Sequence, residues 1–225
     1  MKISKRTLGI LKNFASINQS ILIEEGSTIE TISNIKDIYA KVTVDETFPV
    51  RFAIYDLNEF MGVVSLFDQD AEFEFGEDSL TISDANGEQK YYYADENIIA
   101  RPPEKGITLP EVDVQKEITK ENLGRLAKAA TINNASDITF TEEGIIVHDK
   151  TIPTSNKFKI TQQELKSQKY NLSISVDKLK MVLDDYSIDI CAKGLCLFKG
   201  AGGIDYFIAL QPDGEYSAVW YHRRR

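Results

Sequence analysis

Histidine and cysteine are nearly missing from this chain, with two of each in 225 residues. Cys191 and Cys196 flank a Lys193-Gly194 turn; two thiols make no disulfide framework and read as buried apolar residues. His148, in a strand-like stretch, and His222, near the end, have no Ser, Cys or carboxylate at the spacing of a triad or metal site. No apolar run approaches the roughly 20 residues that span a bilayer. Polar residues interrupt the opening MKISKRTLGILKNF, so a soluble, unexported protein that does not contact membranes is expected. Lys199-Gly200-Ala201-Gly202-Gly203 lacks the Gly-Lys-Ser/Thr ending of a phosphate loop and reads as a hairpin loop. The acidic run Asp68-Gln69-Asp70-Ala71-Glu72 has no EF-hand spacing and reads as a solvated turn. No cofactor, metal or catalytic residue is therefore expected, although a site assembled from distant residues leaves no such trace.

Positive charge is also scarce: 26 Lys and Arg against 35 Asp and Glu give a net −9, which repels polyanions in bulk. What there is sits unevenly. Residues 4–14 carry Lys5, Arg6 and Lys12 with no acid, and residues 119–131 carry Lys120, Arg125 and Lys128 against Glu121 alone.

Those two segments are versions of one sequence. Ile3-Ser4-Lys5-Arg6-Thr7-Leu8-Gly9-Ile10-Leu11 returns 115 residues later as Ile118-Thr119-Lys120-Glu121-Asn122-Leu123-Gly124-Arg125-Leu126. The same offset joins Ala15 to Ala130, Ile17 to Ile132, Leu80 to Leu195, Gly87 to Gly202 and Tyr91 to Tyr206. A period this long exceeds solenoid units of roughly 20–50 residues and suits two small domains. Pro102, Pro103, Gly106 and Pro110 mark a break near residue 108, so the expected domains are 1–108 and 109–225.

In 3–17, Leu8, Leu11 and Ala15 define an apolar helical face with Ser4 as N-cap, and Lys5, Gly9, Lys12 and Ser16 lie opposite. Leu123, Leu126 and Ala130 repeat the face in the second copy. Alternating stretches at Ile38–Val44, Ala71–Phe75 and Leu80–Ile82, then Tyr91-Tyr92-Tyr93, read as strands. Further helices are expected at about 56–66 and about 176–184. The fold class is then α+β, two tandem similar domains each with two helices on antiparallel sheet. The order helix, strands, helix, strands suggests that each domain is itself two similar halves. Basic helices kept in an acidic chain suit helices that meet a polyanion while the remainder avoids it.

The opening Met1-Lys2-Ile3-Ser4-Lys5 through Leu11-Lys12-Asn13-Phe14-Ala15-Ser16-Ile17-Asn18, and Ala53-Ile54-Tyr55-Asp56-Leu57-Asn58-Glu59-Phe60-Met61-Gly62-Val63-Val64-Ser65-Leu66, resemble the DNA polymerase sliding clamps, or processivity factors, of T-even-type bacteriophages. The resemblance covers the first domain closely and the second in size, repeat and strand order. It implies a non-enzymatic, head-to-tail homotrimeric ring on duplex DNA, with helices lining the hole. Carried over by position, Lys5, Arg6, Lys12, Lys120, Arg125 and Lys128 face the DNA, with Lys178 and Lys180 of the fourth helix behind them. The implied partners are the replicative DNA polymerase, an ATP-driven clamp loader and the late-transcription machinery, in the cytoplasm of an infected bacterium. A partner peptide would dock near the 95–112 connector. The helix at 56–66 departs from a basic lining, carrying Asp56 and Glu59 without Lys or Arg, and the aromatic and basic tail 216–225 departs from the family pattern. The rival readings are a non-enzymatic tandem-domain protein-binding adaptor and an enzyme with a dispersed site.

Overall fold

Side chains that alternate in the sequence alternate across sheets in the computed structural model, which describes residues 1–162 and 169–217. The first half runs α1 (Lys5–Ile17), β1 (Ile21–Ile23), β2 (Gly26–Ile32), β3 (Ile38–Phe48), β4 (Phe52–Ile54), α2 (Leu57–Val64), β5 (Glu72–Phe75), β6 (Ser79–Ser83) and β7 (Glu88–Tyr92). The second runs β8 (Val114–Ile118), α3 (Lys120–Asn133), β9 (Asp137–Thr141), β10 (Gly144–His148), β11 (Phe158–Thr161), β12 (Lys169–Ser175), a 3-10 turn at Val176–Lys178, β13 (Tyr186–Cys191), β14 (Leu195–Gly200), β15 (Ile204–Ala209) and β16 (Glu215–Ser217). The 115-residue offset maps these elements onto one another in order, β1 on β9 through β7 on β15 and α1 on α3. Two compact units result. One comprises Met1–Ile107 with Lys180–Val182 and Gly203–Tyr206; the other comprises Thr108–Leu179, Leu183–Gly202 and the chain from Phe207.

In the first unit β2 and β3 pair antiparallel from Ile32↔Tyr39 to Gly26↔Phe48, with a bulge between Gly26 and Thr28. Ile38, Ala40, Val42 and Val44 all point into the core. β5, β6 and β7 form an antiparallel sheet of three, and β1 pairs with β4. Phe48, Phe52, Phe75 and Tyr93 stack in tilted and edge-on contacts, with ring centroids 5.2–6.0 Å apart.

The buried face of α1 differs from the sequence expectation. Thr7, Ile10, Leu11, Phe14 and Ile17 are buried, whereas Leu8 and Ala15 are only half-covered. α1 touches α2 as well as β2 and β3, so its buried sector lies toward both neighbours and takes in Phe14. Thr7 can be fully buried because its hydroxyl donates to Glu46 at 2.6 Å.

In the second unit β9 is central to the sheet ordered β11, β10, β9, β12, β16, and α3 packs on β10 and β11 through Leu123, Leu126 and Ala130. β13 pairs antiparallel with both β8 and β14. Cys191 and Cys196 are buried free thiols, and burial raises the Cys196 thiol well above its ordinary range. His148 sits in β10 with Nε2 2.9 Å from the Thr139 hydroxyl, and its pKa is lowered, chiefly by burial and then by Lys157. His222 and the tail from residue 218 lie outside the described residues.

The expected helix at 176–184 is corrected to the single turn Val176–Lys178. Its polar groups are committed elsewhere. The Val182 N–H donates to the Tyr206 hydroxyl at 3.2 Å, the Lys178 ammonium to the Ala209 carbonyl at 3.3 Å, and Ser175 makes no side-chain cap. Asp56, by contrast, caps α2 by accepting from the N–H groups of Asn58 and Glu59 at 2.9 and 3.1 Å. No described helix is long and apolar enough to cross a membrane.

Candidate nucleic-acid interface

Both basic helices begin in the same way. Ser4 accepts from the Thr7 N–H at 3.2 Å to cap α1, and Thr119 accepts from the Asn122 N–H at 3.3 Å to cap α3. A carboxylate from a distant part of the same unit then reinforces each N-terminus. Glu46 of β3 accepts from the Ser4 N–H and the Thr7 hydroxyl, and Asp185 accepts from the Lys120 N–H at 2.6 Å. Burial would raise the Glu46 carboxyl, but the hydrogen bonds from Thr7 and Ser4 outweigh it and hold the group below its ordinary value. These acids occupy the positive helix ends from behind, and the sequence alone gave no sign of them.

Lys5, Arg6 and Lys12 are exposed on α1, as are Lys120, Arg125 and Lys128 on α3. Lys5 and Lys12, seven residues apart, share one side with Gly9 and Ser16. Among the described residues Lys5, Lys12, Lys120 and Lys128 form no ion pair. Lysines and arginines on strands and loops are neutralised instead: Lys41 by Glu30 at 3.2 Å, Arg51 by Glu96 at 2.8 Å, Lys193 by Glu111 at 2.8 Å and Lys199 by Asp189 at 2.7 Å. Arg6 reaches the Thr43 carbonyl at 3.5 Å, while Arg125 donates to Asn122 at 3.3 Å and lies 5.5 Å over the Phe158 ring.

Helix electrostatics argue that this charge is not there for stability. A cation in the first turn opposes the helix dipole by about 0.3–1 kcal/mol. Lys5 and Lys120 are each the first residue of their helix, and neither α1 nor α3 has a basic residue in its last turn, where one would help. A first-turn cation beside unpaired N–H groups forms an anion-attracting end.

The remaining candidates diverge. Lys180 is exposed just beyond the 3-10 turn, whereas Lys178 is half-buried with its ammonium on a backbone carbonyl. α2 presents Glu59 and no cation, so the basic surface is confined to α1, α3 and Lys180. Beside the connector, a cavity of about 420 Å³ in the first unit is lined by Leu22, Arg51, Arg101, Pro102 and Pro103, with Glu24 and Glu96 holding Arg51 at 3.3 and 2.8 Å. Glu111, Asp113 and Cys191 cluster within 4.8 Å, but Lys193 pairs with Glu111 and the Ala192 N–H donates to Asp113 at 2.8 Å.

Residues 2–100 match the family model described as DNA polymerase processivity factor. The chain is 31% identical over 221 residues to the sliding clamp of Vibrio phage KVP40, covering 94% of this chain and 99% of that one. It is likewise 31% identical over 229 residues to the sliding clamp of Enterobacteria phage T4, covering 96% and 99%. Among solved structures it resembles A. fulgidus PCNA bound to the C-terminal region of FEN-1, with a TM-score of 0.66, 15% identity and coverage of 92% and 96%. At that identity the likeness speaks to the fold, which is the α+β clamp fold.

Proposed function

The chain belongs to the sliding clamps, the DNA polymerase processivity factors, and from that membership we propose that it encircles duplex DNA as a head-to-tail homotrimer and tethers a replicative polymerase. The observation that carries this reading is the pair of repeated helices whose first-turn lysines stay unpaired in a chain of net −9. Six similar domains at about 60° steps close a ring, so two per chain, divided as 1–108 and 109–225, require three chains joined by heterologous contacts. β7 and β11 lie at the edges of their sheets, one in each unit, and supply the two different edges that such a contact needs.

Lys5, Arg6, Lys12, Lys120, Arg125, Lys128 and Lys180 meet the phosphates, with Lys178 in support. Such contacts read no bases and permit sliding. The protein acts by retention and catalyses nothing. It works in the cytoplasm of an infected bacterium with a clamp loader ATPase and late-transcription factors. The cavity between Arg51 and Pro103 is where a partner's peptide docks, as the C-terminal region of FEN-1 binds the A. fulgidus relative.

Loading onto nicked circular DNA tests the mechanism. A clamp stays on the circle and leaves when it is linearised; release indifferent to linearisation would instead mark a protein-binding adaptor. Changing Lys5, Lys12, Lys120 and Lys128 to Glu should abolish polymerase stimulation while the trimer persists. Unchanged stimulation would remove these residues from the DNA-facing surface.

A further inference from the structure

The repeat makes α1 a guide to what α3 lacks. Within the first unit, Asn13 on α1 donates its amide to the Lys180 carbonyl at 3.3 Å and accepts from the Tyr206 hydroxyl at 2.7 Å, and Tyr206 in turn receives the Val182 N–H. One repeat on, Asn13 becomes Lys128; one repeat back, Lys180, Val182 and Tyr206 become Ser65, Phe67 and Tyr91. These counterparts are uncovered in the single chain. Leu66 is 72% exposed and Ile132 on α3 is 82% exposed, although its counterpart Ile17 is 7% exposed. The Tyr91 hydroxyl has no hydrogen bond among the described residues.

We infer that the groove between α3 and β11 is a seat for a second copy of this chain, which inserts Ser65–Phe67 from the end of its α2 and brings Tyr91 alongside. The groove measures about 550 Å³ and is lined by Arg125, Lys128, Ala129, Ile132, Lys157 and Phe158, an apolar floor ringed by three cations. The incoming segment matches it in chemistry. Leu66 supplies the apolar tip, Asp68 and Asp70 follow it, and Glu59 is exposed on α2. α2 ends without a basic residue in its last turn, so the Lys128 ammonium completes its negative end by donating to the Ser65 carbonyl and the Tyr91 hydroxyl, as the Asn13 amide meets Lys180 and Tyr206. The same approach brings the free edge of β7 toward the free edge of β11. Lys128 thereby serves ring closure as well as the duplex.

This inference rests on the ring reading and deepens it by naming the contact. Its test is thiol cross-linking. Ser65→Cys and Lys128→Cys are made as separate proteins, mixed, and treated with a short bismaleimide; Cys191 and Cys196 are fully buried and stay silent. The mixture should give covalent dimers that neither protein gives alone, and the double variant should give covalently closed trimers. A trimer by light scattering that yields no cross-link overturns this seat and leaves the ring standing. A monomer at every concentration overturns both. As a second check, Leu66→Asp should shift the mass toward monomer with the circular dichroism spectrum unchanged; an intact trimer would count against the seat.

Discussion

α1 and α3 descend from one sequence and bury different faces. α1 buries Thr7, Ile10, Leu11, Phe14 and Ile17, whereas α3 buries Leu123, Leu126 and Ala130 and leaves Ile132 in solvent. Position 14 is a fully buried Phe in the first copy, and its counterpart at 129 is a half-exposed Ala. The difference follows from the second helix: α2 forms and packs on α1, whereas its counterpart stops after one 3-10 turn. Duplication copies a sequence, but each copy keeps only the apolar residues that its own neighbours cover. The exposed side of the second copy is free for function.

The largest test of that asymmetry is Phe14→Ala. Removing a fully buried ring that bridges α1 to the first core should cost about 3–5 kcal/mol, read by urea unfolding at fixed protein concentration. Leu11→Ala and Leu126→Ala, at the one deep position that both helices share, should each cost about 2–5 kcal/mol. If Phe14→Ala cost less than about 1 kcal/mol, the two faces would be equivalent and the comparison would fail.

The capping acids give a smaller, pH-dependent contrast. The Glu46 carboxyl titrates below its ordinary value in the folded state. Its contribution is thus fully present above the unfolded pKa of about 4.3 and is lost as pH falls through the lower folded value. Glu46→Gln keeps the shape but removes the charge, so it should lower stability at neutral pH by about 1.5 kcal/mol and flatten the acid limb below about pH 4. Unfolding curves across pH 2–7 read both. An acid limb parallel to that of the parent would show that Glu46 does not carry it.

Much of this was legible beforehand, and the rest was hidden for a physical reason. Ser4 as N-cap, the inward alternation of Ile38, Ala40, Val42 and Val44, and the exposure of Lys5, Lys12, Lys120 and Lys128 follow from local periodicity. What periodicity cannot register is a long-range partner. Glu46 is 39 residues from Thr7 and Asp185 is 65 from Lys120, so neither helix cap could be read from its own segment. The segment 176–184 has helical spacing, yet the Val182 N–H goes to Tyr206, 24 residues away, and Lys178, read as DNA-facing, is turned onto Ala209.

The smallest predicted effect isolates the cap from everything else. Asp56 and Ser175 stand immediately before corresponding elements, α2 and the Val176–Lys178 turn, and only Asp56 bonds backbone N–H groups with its side chain. Asp56→Ala should therefore cost about 1 kcal/mol, because two first-turn donors lose their acceptor. Ser175→Ala should stay within about 0.5 kcal/mol, since its hydroxyl points back to the Ser136 carbonyl at 3.5 Å, too long to contribute much. Equal losses at the two positions would mean that the missing cap is not what separates a helix from a single turn. The explanation would then pass to Tyr206, whose hydroxyl takes the Val182 N–H. Tyr206→Phe, which leaves that N–H without its acceptor, would then be the substitution that lengthens the turn.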